Sequence, residues 1–133
     1  MDKSEIIQLP KILDHRGNLT VIEGLKNVPF EIVRVFWIYD VPGGETRGGH
    51  AYKTSEEFIV ALSGSFDVIL DDGRKRTLHA LNRSYCGLYV PACTWRQMEN
   101  FSTNSLALVL SSTFFKEQDY IRDYNVYLSA LGS

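Results

Sequence analysis

The sequence predicts an all-β domain, a sandwich or barrel of short strands with one helix near its C-terminal end. Short apolar or alternating segments follow one another, with turn residues between them about every ten residues. The repeated strand-helix alternation that a parallel sheet needs is missing. A chain of 133 residues is long enough for one ordinary domain with its own core and too short for two comfortable ones. We therefore expect a single domain over residues 1–133.

The strands are predicted from runs rich in β-branched and aromatic residues. These runs cover 20–23, 33–39, 57–63, 66–70, 85–90 and 106–112. Asp71-Asp72-Gly73 separates 66–70 from a further strand at 74–78, which predicts a hairpin whose turn accepts a positive φ at Gly73. Ser63-Gly64-Ser65 marks a second tight turn.

One helix is predicted, from about 117 to 131. Its apolar residues recur at three- and four-residue spacing, namely Tyr120, Ile121, Tyr124, Tyr127, Leu128 and Leu131. This spacing makes one apolar face that would lie on the barrel or on a partner subunit.

Composition excludes two classes of partner. The net charge is -2 and 23% of the residues are charged, so the chain is not built to neutralise a phosphate backbone, and no nucleic-acid binding is expected. The longest purely apolar runs, such as 58–62 and 106–110, have five residues, and no basic start precedes a long apolar stretch. We expect no membrane association and a cytoplasmic protein.

The segment Arg47-Gly48-Gly49-His50-Ala51-Tyr52-Lys53 is typical of an active-site strand in a small β-barrel. Residues at i and i+2 of a strand point to the same face, so His50 and Tyr52 are predicted to share one face. Two histidines at this spacing hold a metal or move a proton in many small barrels. Here the second position is a tyrosine.

This strand, followed by Glu56 and Gly64, resembles the first conserved motif of cupins, in which two histidines and a glutamate bind a divalent ion. Gly87 and Pro91 match the second cupin motif, and Arg96 falls where the last metal-binding histidine belongs.

Arg96 argues against a metal-dependent cupin, such as an oxygenase. Arginine stays protonated and offers only donors, so it cannot ligate a cation and would repel one. His50 and Glu56 are then the remaining ligands, fewer than the three protein ligands that an open catalytic zinc site uses. We predict no metal. A charge at position 96 facing the barrel interior is costly unless it is paired, so Arg96 is expected to reach substrate or to pair with Glu56 or Glu57.

A series of short motifs runs in order through the chain. They are Asp14-His15-Arg16-Gly17-Asn18-Leu19, Val28-Pro29-Phe30, Arg34-Val35-Phe36-Trp37-Ile38, Arg47-Gly48-Gly49-His50-Ala51, Leu70-Asp71-Asp72-Gly73, Gly87-Leu88-Tyr89-Val90, Trp95 and Asp119-Tyr120-Ile121-Arg122-Asp123-Tyr124. With this order and spacing, residues from about 11 to 127 resemble the metal-free cupin family of nucleotide-sugar 3,4-ketoisomerases, the WxcM-like sugar isomerases that act on dTDP-4-keto-6-deoxyglucose.

The resemblance implies a cupin-type jelly-roll barrel with a short C-terminal helix. It also implies a homodimer, and exchange of terminal strands between the two subunits is one form that this dimer can take. The resemblance further implies a cofactor-free reaction that moves a ketone from C4 to C3 of a dTDP-linked 4-keto-6-deoxy sugar through an enediol. The product would be a 3-keto sugar for deoxysugar, O-antigen or other polysaccharide biosynthesis.

Two residues are predicted to carry the proton transfers. His50, with an ordinary pKa near 6.5, is the predicted base, against a purely structural histidine. Family members line the sugar pocket with two histidines, the second of which corresponds to Tyr52. The ordinary pKa of tyrosine, near 10, suits Tyr52 to donate to the C4 oxygen, against a role as a pocket-lining aromatic.

Six residues are predicted to bind substrate. The planar forks of Arg16 and Arg47 suit phosphate oxygens, although exposed arginines commonly form surface ion pairs instead. Arg96 is placed in the pocket. Trp37, Tyr89 and Trp95 are expected to stack on thymine or line the sugar cavity, with core packing as the alternative.

The sequence leaves a second function open. The leading hypothesis is a cofactor-independent sugar-nucleotide ketoisomerase. The alternative is a non-catalytic nucleotide-sugar-binding cupin, in which loss of the second histidine has abolished the chemistry.

Overall fold

A computed structural model describes residues 3–132. Its strands are β1 (Glu5–Gln8), β2 (Lys11–Ile12), β3 (Leu19–Thr20), β4 (Arg34–Tyr39), β5 (Arg47–Tyr52), β6 (Glu57–Ser63), β7 (Phe66–Asp71), β8 (Arg76–Leu81), β9 (Cys86–Val90), β10 (Trp95–Glu99), β11 (Leu106–Ser111) and β12 (Tyr120–Ile121), and its helix is α1 (Tyr124–Leu131). One five-stranded sheet has the order β1-β9-β6-β11-β4 and a second has the order β12-β5-β10-β7-β8, while β2 and β3 pair separately. The predicted all-β jelly roll with a C-terminal helix is confirmed.

Alternation along the strands places the core between the two sheets. The buried cluster takes side chains from both sheets, namely Ile59, Ala61, Phe66, Val68, Leu70, Leu81, Leu88, Val90, Met98, Ala107 and Val109. Such a cluster is the main stabilising contribution to the barrel, because it removes apolar surface from water. A second cluster, on the outer face of β6, β9 and β11, lies under the N-terminal segment and includes Leu9, Val28, Phe30, Phe58, Val60, Tyr89 and Leu110.

The hairpin prediction is confirmed, since β7 pairs antiparallel with β8 and Gly73 has a φ of 93° in the turn. The predicted strand at 20–23 is wrong beyond Thr20. The short strand β3 covers Leu19–Thr20, and the chain then leaves the hairpin so that Ile22 packs against the outer cluster.

The C-terminal helix is shorter than predicted. Residues Glu117–Asp119 form a single 3₁₀ turn, and Tyr120 and Ile121 form β12, which pairs with Tyr52 and Ala51 of β5. The helix begins only after Asp123, whose carboxylate accepts a hydrogen bond of 3.0 Å from the Val126 N–H and so caps it. The three- and four-residue spacing predicted too early a start for the helix, because the first two residues of the pattern, Tyr120 and Ile121, belong to a strand.

The helix is tied to the second sheet by Tyr127. Its buried hydroxyl donates to the carbonyl oxygens of Asp71, at 3.0 Å, and Cys93, at 2.8 Å. Within residues 3–132, no helix is long and apolar enough to cross a membrane.

Candidate active site

Three rings meet at one end of the barrel interior, where β5 and β12 run side by side. His50 and Tyr52 lie on the same face of β5, as predicted, with ring centroids 4.7 Å apart. Tyr120 of β12 lies opposite Tyr52, and its ring centroid is 5.0 Å from that of His50 and 4.7 Å from that of Tyr52. The Tyr52 hydroxyl donates to the Tyr120 hydroxyl at 3.4 Å. One imidazole and two phenols therefore form a triangle.

The triangle borders a buried ion pair between the two sheets. Arg96 of β10 pairs with Glu57 of β6 through two parallel hydrogen bonds, from Nε to Oε1 at 2.7 Å and from Nη2 to Oε2 at 2.9 Å. Both side chains are at most 2% exposed. The expectation that Arg96 pairs with Glu56 or Glu57 is thus confirmed for Glu57, whereas Glu56 accepts a hydrogen bond of 2.6 Å from the Tyr89 hydroxyl.

An irregularity in β5 makes room for this arginine. Arg96 lies opposite His50, and the register then shifts so that Met98 lies opposite Arg47. Gly48 sits at the shift with a φ of 70°, and a Cβ there would lie 2.2 Å from Nη1 of Arg96. A glycine at position 48, two residues before His50, is therefore a steric requirement of the buried arginine.

The environment of His50 favours the neutral imidazole. Burial lowers its pKa first, and the positive charges of Arg96, Arg122 and Arg34 lower it further, to about 3. Its Nε2 atom is buried and has no hydrogen-bond partner among the described residues. The imidazole is therefore neutral at pH 7 and offers a lone pair to a ligand, while the lowered pKa makes it a weaker base than a free histidine.

The environment of Tyr52 favours its protonated form. Burial raises the pKa of the phenol first, and the carboxylate of Glu57 raises it further, to well above the ordinary value of 10.0. Tyr52 is therefore protonated at neutral pH and can donate a hydrogen bond.

Two further arginines border the triangle. The guanidinium of Arg34 lies 5.5 Å from the ring centroid of Phe36 and 5.7 Å from that of Phe115, and it donates to the Ser111 hydroxyl at 3.3 Å. Its Nε is buried and unpartnered among the described residues. Arg122 lies 4.1 Å from the centroid of the Tyr120 ring and pairs with Glu117.

The aromatic residues predicted to bind substrate lie elsewhere. Trp37 lies on the outer face of β4, 57% exposed, because Phe36 and Ile38 take the inward positions. Tyr89 is buried in the outer cluster, and Trp95 packs against Tyr124 and Tyr127 beneath the helix. The structure does not bring these three side chains to His50.

The predicted phosphate-binding arginines also lie apart from the triangle. Arg16 is exposed and pairs with Asp14 of the β2–β3 loop at 2.8 Å. Arg47 lines a cavity of about 430 Å³ with Trp37, beside the loop that joins β4 to β5. Arg96, predicted to lie in the pocket, is buried beside Tyr52, with Nε and Nη2 on Glu57 and Nη1 donating to the Met98 sulfur at 3.5 Å.

Sequence reasoning missed Arg34, Tyr120 and Arg122 as site residues. Arg34 had a usable signal, since alternation places it on the same face of β4 as the inward Phe36 and Ile38. Tyr120 and Arg122 also had a signal, because they belong to the motif Asp119-Tyr120-Ile121-Arg122-Asp123-Tyr124. The prediction of a helix over this segment hid the strand β12 that carries Tyr120 to the site.

The donor set does not favour a metal. Within residues 3–132, no group of three His, Cys, Asp or Glu side chains is placed to hold a metal ion. A guanidinium lies directly across the strand pair from His50, and its fixed charge opposes a second cation. The arrangement instead suits removal of a proton next to a carbonyl, with hydroxyl donors for the oxygen that gains negative charge.

The chain is similar to proteins of one kind over nearly its whole length. The family model FdtA, described as WxcM-like, C-terminal, matches residues 2–132. The TDP-4-oxo-6-deoxy-alpha-D-glucose-3,4-oxoisomerase of Aneurinibacillus thermoaerophilus is 44% identical over 123 residues, which cover 92% of this chain and 88% of that protein.

Solved structures agree with this similarity. A 3,4-ketoisomerase from Helicobacter canadensis superposes with a TM-score of 0.95 at 39% identity, covering 98% of each chain. The QdtA 3,4-ketoisomerase from Thermoanaerobacterium thermosaccharolyticum, solved as a histidine-to-asparagine variant in complex with TDP-4-keto-6-deoxyglucose, superposes with a TM-score of 0.93 at 35% identity, covering 96% of this chain and 92% of that one.

The buried ion pair leads to a prediction about stability. Replacing Arg96 by methionine leaves the Glu57 carboxylate buried without its partner, which should lower the free energy of unfolding by about 3–5 kcal/mol. Replacing both members, with Arg96→Met and Glu57→Leu, removes both charges and should recover most of that loss. Urea unfolding at neutral pH measures both, and Arg74→Met, at an exposed arginine of the β7–β8 turn, is the control. An Arg96→Met variant as stable as the control would contradict the prediction.

Proposed function

Because this chain belongs to the FdtA family of WxcM-like C-terminal domains, we propose that it is a nucleotide-sugar 3,4-ketoisomerase. The substrate is a dTDP-linked 4-keto-6-deoxyhexose, the product is its 3-keto isomer, and a single cupin-like domain carries the reaction. The observation that supports this most strongly is the neutral, buried imidazole of His50 beside two phenolic hydroxyls. The relatives named above are enzymes of this kind.

The proposed reaction starts at C3 of the hexose. The C4 carbonyl acidifies the C3 proton, and His50 removes it as the base. The electron pair of the broken C–H bond forms the C3–C4 double bond, and the C4 oxygen takes a proton from Tyr52. Proton transfer to a positioned base contributes about 10²–10⁴-fold to such rates. Reprotonation at C4 and loss of the O3 proton complete the isomerisation.

Three arginines are our candidates for holding the anionic substrate. Arg34 and Arg122 are near enough to His50 for their charges to lower its pKa, so they are suited to the part of the ligand next to the sugar. Arg47 is suited to a phosphate farther out, since it is exposed at the start of β5. Planar guanidinium groups bind phosphate oxygens in pairs, which favours them over lysines in this role. Arg16 is a weaker candidate because Asp14 already neutralises it.

We propose a homodimer in which a second copy covers the outer face of β4. This strand is an edge of the first sheet, and its outward side chains Val35, Trp37 and Tyr39 are 48%, 57% and 61% exposed. A cavity of about 980 Å³ next to them is lined by Leu13, Val35, Leu62 and Leu108, among others. An exposed apolar patch of this kind is typical of a surface that packs against another protein chain. We further propose that the enzyme works in the cytoplasm, in deoxysugar and polysaccharide biosynthesis.

The base assignment predicts a loss of activity in the His50→Asn variant. Its conversion of dTDP-4-keto-6-deoxyglucose should fall by about 10²–10⁴-fold, because no other neutral base lies in the triangle. Binding of dTDP should stay within about threefold, since an amide leaves the surrounding arginines in place. Product formation by NMR and binding by calorimetry measure the two effects. His15→Asn, at a side chain 92% exposed, is the control. Isomerisation at the wild-type rate in His50→Asn would refute the assignment.

The lowered pKa of His50 predicts an unusual pH profile. The imidazole must be neutral to accept the proton, and its pKa in the folded protein is about 3, not 6.5. The value of kcat/KM, which reports the free enzyme, should therefore stay level from about pH 8 down to about pH 5. Initial rates at low substrate concentration over this range measure it. An acidic limb with a midpoint near the ordinary histidine value of 6.5 would show that burial and the arginines do not act as described.

The dimer predicts that a charge on the outer face of β4 separates the subunits. Trp37→Lys should shift the mass measured by light scattering at about 10 µM from two chains to one, because it buries an unpaired charge in the interface. Leu78→Lys is the matched control, since Leu78 is 58% exposed on β8, the edge of the other sheet. A wild-type mass of one chain, or a Trp37→Lys dimer, would contradict this interface.

A further inference from the structure

The phenol of Tyr120 has no role in the steps above, yet it lies within the triangle. Its hydroxyl is 3.4 Å from that of Tyr52, and its ring contacts His50. Strong O–H···O hydrogen bonds measure about 2.5–3.0 Å. The two hydroxyls are therefore joined by a long hydrogen bond, and each keeps capacity to bind a ligand oxygen as well.

The backbone on both sides of Tyr120 is held firmly. The buried Asp119 carboxylate accepts four hydrogen bonds, from the backbone N–H and the hydroxyl of both Thr54 and Ser55. The Asp119 carbonyl accepts a further bond of 2.8 Å from the Lys53 N–H. On the other side, Ile121 is buried with Ala51 and Trp95. These contacts fix the strand pairing that aims Tyr120 at Tyr52.

The Tyr120 ring is also held from its outer face. The guanidinium of Arg122 lies 4.1 Å from its centroid, and Arg122 is bound in turn by Glu117 through hydrogen bonds of 3.0 and 3.1 Å. A cation over a ring at this distance favours a fixed ring orientation. Phe115 contacts a further side of the ring, with centroids 5.7 Å apart.

The isomerisation needs two oxygen proton transfers as well as two at carbon. O4 gains a proton as the enediol forms, and O3 loses one as the enediol collapses to the 3-ketone. O3 and O4 lie side by side on the enediol, as the two phenolic oxygens do here. A single buried phenol is poorly suited to both transfers, because burial raises the pKa of Tyr52 and so disfavours a free phenolate.

Building on the proposed function, we propose that Tyr120 is a second catalytic hydroxyl, which takes the O3 proton while Tyr52 supplies the O4 proton. As His50 takes the C3 proton, the C–H electrons form the C3–C4 double bond and O4 takes the Tyr52 proton. The hydroxyl of Tyr120 rotates and passes its own proton to the Tyr52 oxygen. In the second step the O3–H bond breaks and its proton goes to the Tyr120 oxygen. The O3 electrons form the C3 carbonyl, and the double-bond electrons take the proton from His50 at C4. All three side chains end as they began.

If Tyr120 takes the O3 proton, loss of its hydroxyl should affect hydrogen exchange at C3 and formation of the 3-keto product to different extents. In deuterated water, His50 exchanges the C3 hydrogen of the 4-keto sugar whenever the enediol forms and reverts. The 3-keto product requires the O3 proton to leave as well. Removing the Tyr120 hydroxyl therefore should impair collapse to the product more than it impairs exchange at C3.

The test compares wild type and Tyr120→Phe with dTDP-4-keto-6-deoxyglucose in deuterated water, followed by NMR. In Tyr120→Phe we expect product formation to fall by about 10²-fold, with KM within about threefold, and the ratio of C3 exchange to product to rise by about tenfold. This ratio does not depend on how much of the variant is folded. Tyr124→Phe is the matched control, because Tyr124 lies in the same tail and donates to Asp71, outside the triangle.

A second variant tests whether the two hydroxyls act as a unit. An imidazole takes and returns a proton by itself near neutral pH, so in a Tyr52→His background the further change Tyr120→Phe should cost less than about threefold. The proposal is overturned if Tyr120→Phe leaves the ratio of exchange to product unchanged, or if its cost is the same in both backgrounds. If wild type gives neither exchange nor product, the proposed function itself has failed.

Discussion

The ion pair between Arg96 and Glu57 is the interaction on which the rest of the site depends. It joins β10 of one sheet to β6 of the other inside the barrel, with both side chains almost fully removed from water. Two charges of this kind persist in a protein interior only when each satisfies the other, and the two parallel hydrogen bonds meet that condition. The register shift in β5 falls at Gly48, where the absence of a Cβ leaves space for the Arg96 guanidinium.

The chemistry of His50 follows from this pair. Glu57 is bound to Arg96, and the influences on the pKa of the His50 imidazole are burial and the positive charges of Arg96, Arg122 and Arg34. All of them favour the neutral form. The same interior keeps the Tyr52 phenol protonated. The site therefore holds a neutral imidazole and a protonated phenol, the states that the proposed enediol formation needs, and the described residues contain no metal-ligand set.

Local patterns predicted most of the fold and about half of the site. The turn at Gly73, the strand Glu57–Ser63 and the shared face of His50 and Tyr52 all follow from strand periodicity and turn chemistry, which act within a few residues. The outward direction of the Trp37 side chain could not be predicted from these patterns. Phe36 and Trp37 are adjacent aromatic residues, and the pairing of β4 with β11 determines which of them faces the core. The strand β12 could not be predicted, since it depends on contacts from Asp119 to Thr54 and Ser55, more than 60 residues away in sequence.

A titration of the histidine imidazoles by NMR tests the central claim most directly. The chain has only three histidines, and the His50 resonance is identified by its loss in His50→Asn. We predict that the His50 ring signal stays at its neutral position from about pH 8 to about pH 5, because its pKa in the folded protein is about 3. A His50 resonance that titrates with a midpoint near 6.5 would contradict the account, since the buried charges would then not keep the base neutral.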